Sequence, residues 1–217
     1  VGEVIRRISG SASVGTFFKN EVVDPLGVDF FIGTPESEDY RIADIIPPAP
    51  GSLVRTQVEP SKLTKRSLVP ASEEVAGNPN SRGWRGAEIP GANGHATARA
   101  VAKIYGAVAC GGVLDDVYLF SPERVDIMRE IQVQSMDEVL ELETRRSLGF
   151  MHPIPDSGDA LGSNAFGHNG AGGSMGFADP EYRIGFGYVM SQMWAGDLMD
   201  PDPRAQLLAR AVYQCLS

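Results

Sequence analysis

The stretch Phe166–Met193, FGHNGAGGSMGFADPEYRIGFGYVMSQM, decides how this chain is read. Asp179-Pro180-Glu181-Tyr182 is a turn signal, with Pro180 presetting the backbone of the first central position. After it, Ile184, Phe186, Tyr188 and Met190 alternate with Gly185, Gly187 and Val189. This period of two predicts a strand with one large apolar face and one nearly bare face. A bare glycine face predicts another backbone or a helix pressed against it. Before the turn, Gly167, Gly170, Gly172, Gly173 and Gly176 crowd into ten residues, on a second strand. Ordering glycine costs entropy, so the density needs a reason: bulges and tight packing, or a substrate brought close to this backbone. His168-Asn169 at the head of the strand favours the second.

Gly172-Gly173-Ser174-Met175-Gly176 matches the G-x-S-x-G nucleophile elbow as a pattern. That motif needs a strand, a sharp turn and a helix, with acid and histidine following the serine. Here strand, turn and strand follow, and His95, His152 and His168 all precede Ser174. The match is read as accidental.

Working outward, the 217 residues suffice for one domain with a core, or one large piece of a bigger domain. A net charge of −9 argues against nucleic acid and anionic membrane surfaces as partners, and no stretch is apolar for long enough to span a bilayer. Cys110 and Cys215 sit in apolar, helix-like settings and read as buried thiols rather than a disulfide. Three scattered histidines and two distant cysteines show no metal-ligand spacing. Neither a P-loop nor a G-x-G-x-x-G fingerprint is present. No metal and no cofactor is expected.

Val1–Gly10 has a helical pattern with Val1, Val4, Ile5 and Ile8 on one face and Gly10 as its stop. No capping residue precedes it. Ser13–Val23 reads as a second helix, with Phe17, Phe18 and Val22 inward, ended by Asp24-Pro25-Leu26-Gly27. Residues 34–75, with six prolines, read as a long irregular excursion, either a functional cover or a surface insertion. Residues 77–95 are turn-rich. Thr97 caps a helix whose buried stripe is Val101, Ile104, Tyr105 and Val108, closed by Gly111-Gly112. Ser121-Pro122-Glu123 starts another, running to about Ile131. Leu140 and Leu142 alternate with acids in residues 137–144; Ser147–Met151 is a short strand candidate, and Asp156–Asn164 a polar loop. Asp202-Pro203 opens a last helix with Leu207, Leu208, Ala211, Val212 and Cys215 inward.

His168-Asn169-Gly170, then Ala171-Gly172-Gly173, a strand, an Asp-Pro-Glu turn and a second strand resemble the third motif region of the serine β-lactamase and penicillin-binding-protein superfamily. The branch most resembled is the class C β-lactamase-like carboxylesterases. PGANGHATARAVAKIYGAVACGG (90–112) is similar to a segment at that family's active-site rim, and GEVIRRISG (2–10) to the helix after its tyrosine-bearing motif. The resemblance implies an α/β (α+β) fold, an antiparallel sheet flanked by helices, with residues 1–217 a single partial domain, the carboxy-terminal half. It also implies acyl transfer from a small ester or amide to a serine, then hydrolysis. His168 would line the site and hydrogen-bond substrate or the catalytic tyrosine. Gly170 would permit close approach, the Ala171 N–H would donate to the oxyanion, and Asn169 and Asn93 would contact substrate. His95 would lie nearby, although a helix-entry residue satisfied by local backbone is the preferred reading of it. No serine here has lysine three residues on, and no tyrosine has asparagine two residues on. The nucleophile is therefore expected on an amino-terminal half outside this sequence. The alternative is a non-catalytic binding or regulatory module derived from the same fold.

Overall fold

A computed structural model describes residues 1–48, 61–68, 78–155, 160–196 and 201–216. Parts of the expected excursion (49–60 and 69–75) and of the expected polar loop (156–159) lie outside the described residues. The chain runs α1 (Gly2–Ser9), α2 (Val14–Phe18), α3 (Asp24–Leu26), β1 (Phe30–Ile32), α4 (Lys62–Leu68), α5 (Arg82–Gly86), β2 (Gly94–Ala96) and α6 (Ala98–Ala109). It continues through β3 (Val113–Leu114), β4 (Val117–Tyr118), α7 (Pro122–Arg129), β5 (Val133–Asp137), β6 (Leu142–Arg146), β7 (Phe166–Asn169), β8 (Met175–Asp179), β9 (Ile184–Tyr188) and α8 (Pro203–Gln214).

The predicted strand pair is β8 and β9, antiparallel, with Asp179 opposite Ile184 across the turn. Arg183 closes that turn at φ 55°. β7 pairs with the other side of β8, giving the order β7-β8-β9. Met151 bridges both Arg146 and Gly167, which links the β5–β6 hairpin to β7. The result is the expected antiparallel sheet flanked by helices.

The pleat puts Gly176, Ala178, Gly185 and Gly187 on one face and Met175, Phe177, Ile184, Phe186 and Tyr188 on the other. Helix α6 lies on the bare face. A Cβ at Gly185 would meet the Ala102 carbonyl and the Gly106 backbone, and one at Gly187 would meet Ala98 and Ala102. Close packing by α6 thus explains Gly176, Gly185 and Gly187. Gly167 is spent on the cross-strand contact with Gly176 and Phe177. Of the two reasons open for the glycine density, packing takes Gly167 and Gly176, and the bare face of Gly185 and Gly187 has the helix expected against it. On the other face, Phe177 stacks on Phe186 at 4.9 Å, and buried Ala205 and Ala209 bring α8 down onto the same cluster. Tyr213 of α8 donates to fully buried Asp179 at 2.6 Å, and the Glu181 N–H donates to that carboxyl at 3.0 Å. Burial raises the Tyr213 phenol, and its bond to Asp179 adds to the rise.

Thr97, Ser121 and Asp202 cap their helices as expected, each accepting a backbone N–H. Several expectations are corrected. Helical backbone continues past Val23 to Leu26, because a π-turn at Lys19–Val23 widens the helix just before Pro25; Gly27, at φ 60°, is the stop. Ser147–Met151 is a turn with one bridging residue, Gly149 lying at φ 87°. β5 carries no clean alternation, and its pairing with β6 is made by tertiary context. In α8 the inward residues are small, Ala205 and Ala209, while Leu207 and Leu208 are exposed, as is Cys215. Val1, and Val4 and Ile8 of α1, are likewise exposed.

Candidate active site

Where β7 ends, the chain makes a tight loop over Gly170–Ser174 before entering β8. The Gly170 N–H donates to the Ser174 carbonyl at 2.7 Å, and the Gly173 N–H to the Gly170 carbonyl at 3.0 Å. Gly172 and Gly173 lie at φ 85° and 111°, conformations glycine adopts without strain. The loop is held from outside: the Trp194 N–H donates to the Gly172 carbonyl at 2.7 Å, and Gly173 lies against the buried carboxyl of Asp202. Ser174 sits on this turn between two strands, so the elbow geometry is absent.

The loop opens into a cleft of ≈ 1010 Å³. His168, Asn169, Gly170, Ala171 and Ser174 line one side. His168 lies opposite Gly176, on the sheet face covered by α6. Its Nδ1 is 2.5 Å from the Asn169 carbonyl oxygen. A carbonyl cannot donate, so in the neutral ring Nδ1 carries the proton and Nε2 keeps a free lone pair. Ala171 lines the same cleft and is exposed, and no acceptor among the described residues claims its N–H. Behind them stands Tyr105 of α6, whose phenol is pushed up to about 12 by burial.

The facing wall was not legible in the sequence. Phe30, Phe31, Arg41, Ile42, Ile45 and Trp84 form it. Its strap, residues 34–46, is tied by pairings distant in sequence. The Asn80 side chain takes both backbone groups of Ile45, at 2.7 and 2.9 Å. The Ile46 N–H donates to the Ser191 carbonyl at 2.8 Å, and the Met193 N–H returns to the Ile46 carbonyl at 2.9 Å. Arg82 bonds Asp39 and the Thr34 carbonyl, Arg85 pairs with Asp44, and Arg41 pairs with Asp29 and Glu38. One hydrogen-bonded course therefore runs from Asn80 through Ile45–Ile46 and residues 191–194 to Gly172 in the loop.

Asn93 is placed differently from its sequence-based role. It is 2% exposed and does not line the cleft. Its amide donates to the Trp84 carbonyl at 2.7 Å and the Ala87 carbonyl at 2.5 Å, and accepts from the Ile89 N–H at 3.0 Å. Those three bonds occupy the side chain, which shapes the loop between α5 and β2 instead of facing a ligand. His95, paired with Phe31 across β1–β2, does line the cleft. Its buried Nδ1 meets no partner at hydrogen-bond geometry, while the backbone of Asn93, two residues earlier, acts on the ring. Desolvation lowers its basicity, Arg85 and Arg82 add to that, and the Asn93 backbone and Asp39 oppose it.

Known proteins are similar to this chain in sequence and fold. The esterase/beta-lactamase LipL of Mycobacterium tuberculosis is 31% identical over 192 residues, covering 81% of this chain and 42% of its own length. A penicillin-binding-protein homologue from Caulobacter crescentus superposes with TM-score 0.86 at 36% identity, over 98% of this chain and 55% of that one. A family VIII carboxylesterase superposes with TM-score 0.81 at 37% identity, over 99% of this chain and 55% of that one. The chain thus spans about half the length of these relatives. The sequence model of the family described as Beta-lactamase matches residues 1–211, and this chain belongs to that family.

Proposed function

We propose that this chain forms one wall of a serine-dependent acyl-transfer site, in a carboxylesterase working through an acyl-enzyme. The observation that carries the reading is the loop after β7, where Ala171, its N–H unclaimed among the described residues, and His168, its Nε2 keeping a free lone pair, line one cleft. A backbone N–H held by a clamped loop is the kind of donor that stabilises a developing oxyanion. An imidazole with a free lone pair can accept from substrate or from a catalytic hydroxyl. The esterase names of LipL and of the family VIII carboxylesterase support an ester substrate. The nucleophile would come from a segment corresponding to the rest of the relatives' length. Exposed Val4 and Ile8 on α1, and Leu207 and Leu208 on α8, supply apolar surface on which such a segment could rest.

The test is p-nitrophenyl ester hydrolysis. The 217-residue chain alone should not exceed buffer; joined to upstream sequence bearing Ser-x-x-Lys it should turn over. In that active form His168→Ala should lower kcat/KM by about ten- to a thousandfold, the scale of a lost positioned polar group. Turnover by the chain alone, lost in Ser174→Ala, would refute this reading. A complemented protein that binds ester without hydrolysing it would favour the binding-module alternative.

A further inference from the structure

The strap over residues 34–46 is seated by a side chain that does not itself line the cleft, Asn80. The Asn80 amide is spent on a single residue. Its Oδ1 accepts from the Ile45 N–H at 2.7 Å, and its Nδ2 donates to the Ile45 carbonyl at 2.9 Å. Asn80 is fixed in turn, its own N–H donating to Asn78 Oδ1 at 2.9 Å. The next strap residue, Ile46, makes a parallel bridge with Gln192. Its N–H donates to the Ser191 carbonyl at 2.8 Å, and its carbonyl accepts from the Met193 N–H at 2.9 Å. Pro47 and Pro48 follow and bring no N–H, so the ladder cannot lengthen in that direction. Two residues thus set the register of the strap, and so short a pairing is weakly specified unless something outside pins it. Asn80 is that pin.

The bridge passes its position on to the loop after β7. The Trp194 N–H donates to the Gly172 carbonyl at 2.7 Å. A Cβ at Gly172 would lie 2.8 Å from Met193 Cε and 2.9 Å from both Met193 Cγ and Met190 Cε. The loop backbone is therefore packed on residues 190–194 without slack, and a shift in them reaches Gly172, the residue after Ala171. Arg204 of α8 also holds this segment, donating to the Gln192 carbonyl at 2.8 Å. Releasing the strap would loosen the segment without freeing it.

We propose that Asn80 is a positioning residue: by pinning Ile45 it seats the strap, and the seated strap fixes residues 191–194 and, through them, the loop that carries the Ala171 N–H. The coupling runs through contiguous hydrogen bonds and packed side chains, the kind of path that carries a displacement between sites. Its consequence for turnover rests on the acyl-transfer reading of that loop; the coupling itself does not.

The test is amide hydrogen exchange and chemical shift in the ¹⁵N-labelled 217-residue chain. In Asn80→Ala the Met193 and Trp194 amides should exchange at least about fivefold faster, the scale of a lost hydrogen bond. The Ala171 and Gly172 resonances should move with them, while the Phe177 amide in β8 stays within about twofold. Thr64→Ala is the control. It loses a 2.6 Å bond to the Val139 carbonyl, on no part of this course, and should leave Trp194 and Ala171 unmoved. Gln192→Ala removes the side-chain bond to the Pro47 carbonyl at 2.9 Å, and should give the same pattern if Asn80→Ala misfolds. Unchanged Met193 and Trp194 exchange, unmoved Ala171 and Gly172 resonances, or an equal acceleration at Phe177 would each overturn the proposal. In the complemented form Asn80→Ala should lower kcat at least about threefold and Thr64→Ala should not; an unchanged kcat would likewise overturn the positioning role. A complemented wild type without turnover sinks the esterase reading alone, since the exchange readout needs no hydrolysis.

Discussion

Replacing Gly185 by alanine tests the closest contact in the fold. A Cβ there would lie 2.1 Å from the Gly106 nitrogen, 2.3 Å from the Ala102 carbonyl oxygen and 2.4 Å from the Gly106 Cα. Ordinary contact needs roughly 3.5 Å, so α6 would have to retreat from the sheet by about 1.4 Å, the difference from the shortest of these. Both obstacles are helix backbone, so no rotamer change relieves the clash. The retreat would also loosen Val101 and Tyr105 from Gly176, on the wall behind His168. Overpacking costs about 1–3 kcal/mol, and a backbone obstacle belongs at the upper end. At about 2–4 °C per kcal/mol for a chain this size, Tm should fall by roughly 6–12 °C. The control is Gly106→Ala on the opposing helix. Its Cβ would meet only Leu114 Cδ2, at 3.6 Å. Alanine in a helix interior gains about 0.5–1 kcal/mol over glycine, so this variant should melt higher. Thermal denaturation followed by circular dichroism reads both. A Gly185→Ala protein melting within about 1 °C of wild type would refute the packing argument, as would an equal loss in Gly106→Ala.

Two further outcomes follow from half-buried polar groups. His152 stacks on Phe166 and its pKa is lowered from 6.5 to about 4, by desolvation first and then by Arg145 and Arg129. The unfolded chain then binds more protons in that range, so stability is lost as pH falls from 6.5 towards 4 and regained as it rises. His152→Phe should flatten the slope of urea-unfolding stability over this window, leaving the part due to His95 and to carboxyls held low such as Glu3 and Asp137; an unchanged slope would contradict the assignment. Tyr213→Phe removes the 2.6 Å bond to the fully buried Asp179, and should cost about 1–3 kcal/mol in urea unfolding; a loss under roughly 0.5 kcal/mol would mean the carboxyl finds another partner.

Local rules carried far in this chain. Alternation over Ile184–Met190, the Asp-Pro-Glu turn and the bare glycine face determine β8, β9 and the helix pressed on them, because strand period and side-chain size act over a few residues. Thr97, Ser121 and Asp202 marked their helix starts for the same reason. His168, Asn169, Gly170 and Ala171 were readable as a cluster because they are consecutive and end a strand at the cleft. Other features were decided only by tertiary structure. Which face of α8 turns inward depended on how closely it approaches the sheet, and Ala205 and Ala209 permit an approach that Leu207 and Leu208 would block. Asn93 faces three backbone groups instead of a ligand because Trp84, Ala87 and Ile89 fold around it. The far wall exists because Ile45 meets Asn80 and Ile46 meets residues 191–193, and pairings across such separations leave no periodic trace in the residues that make them.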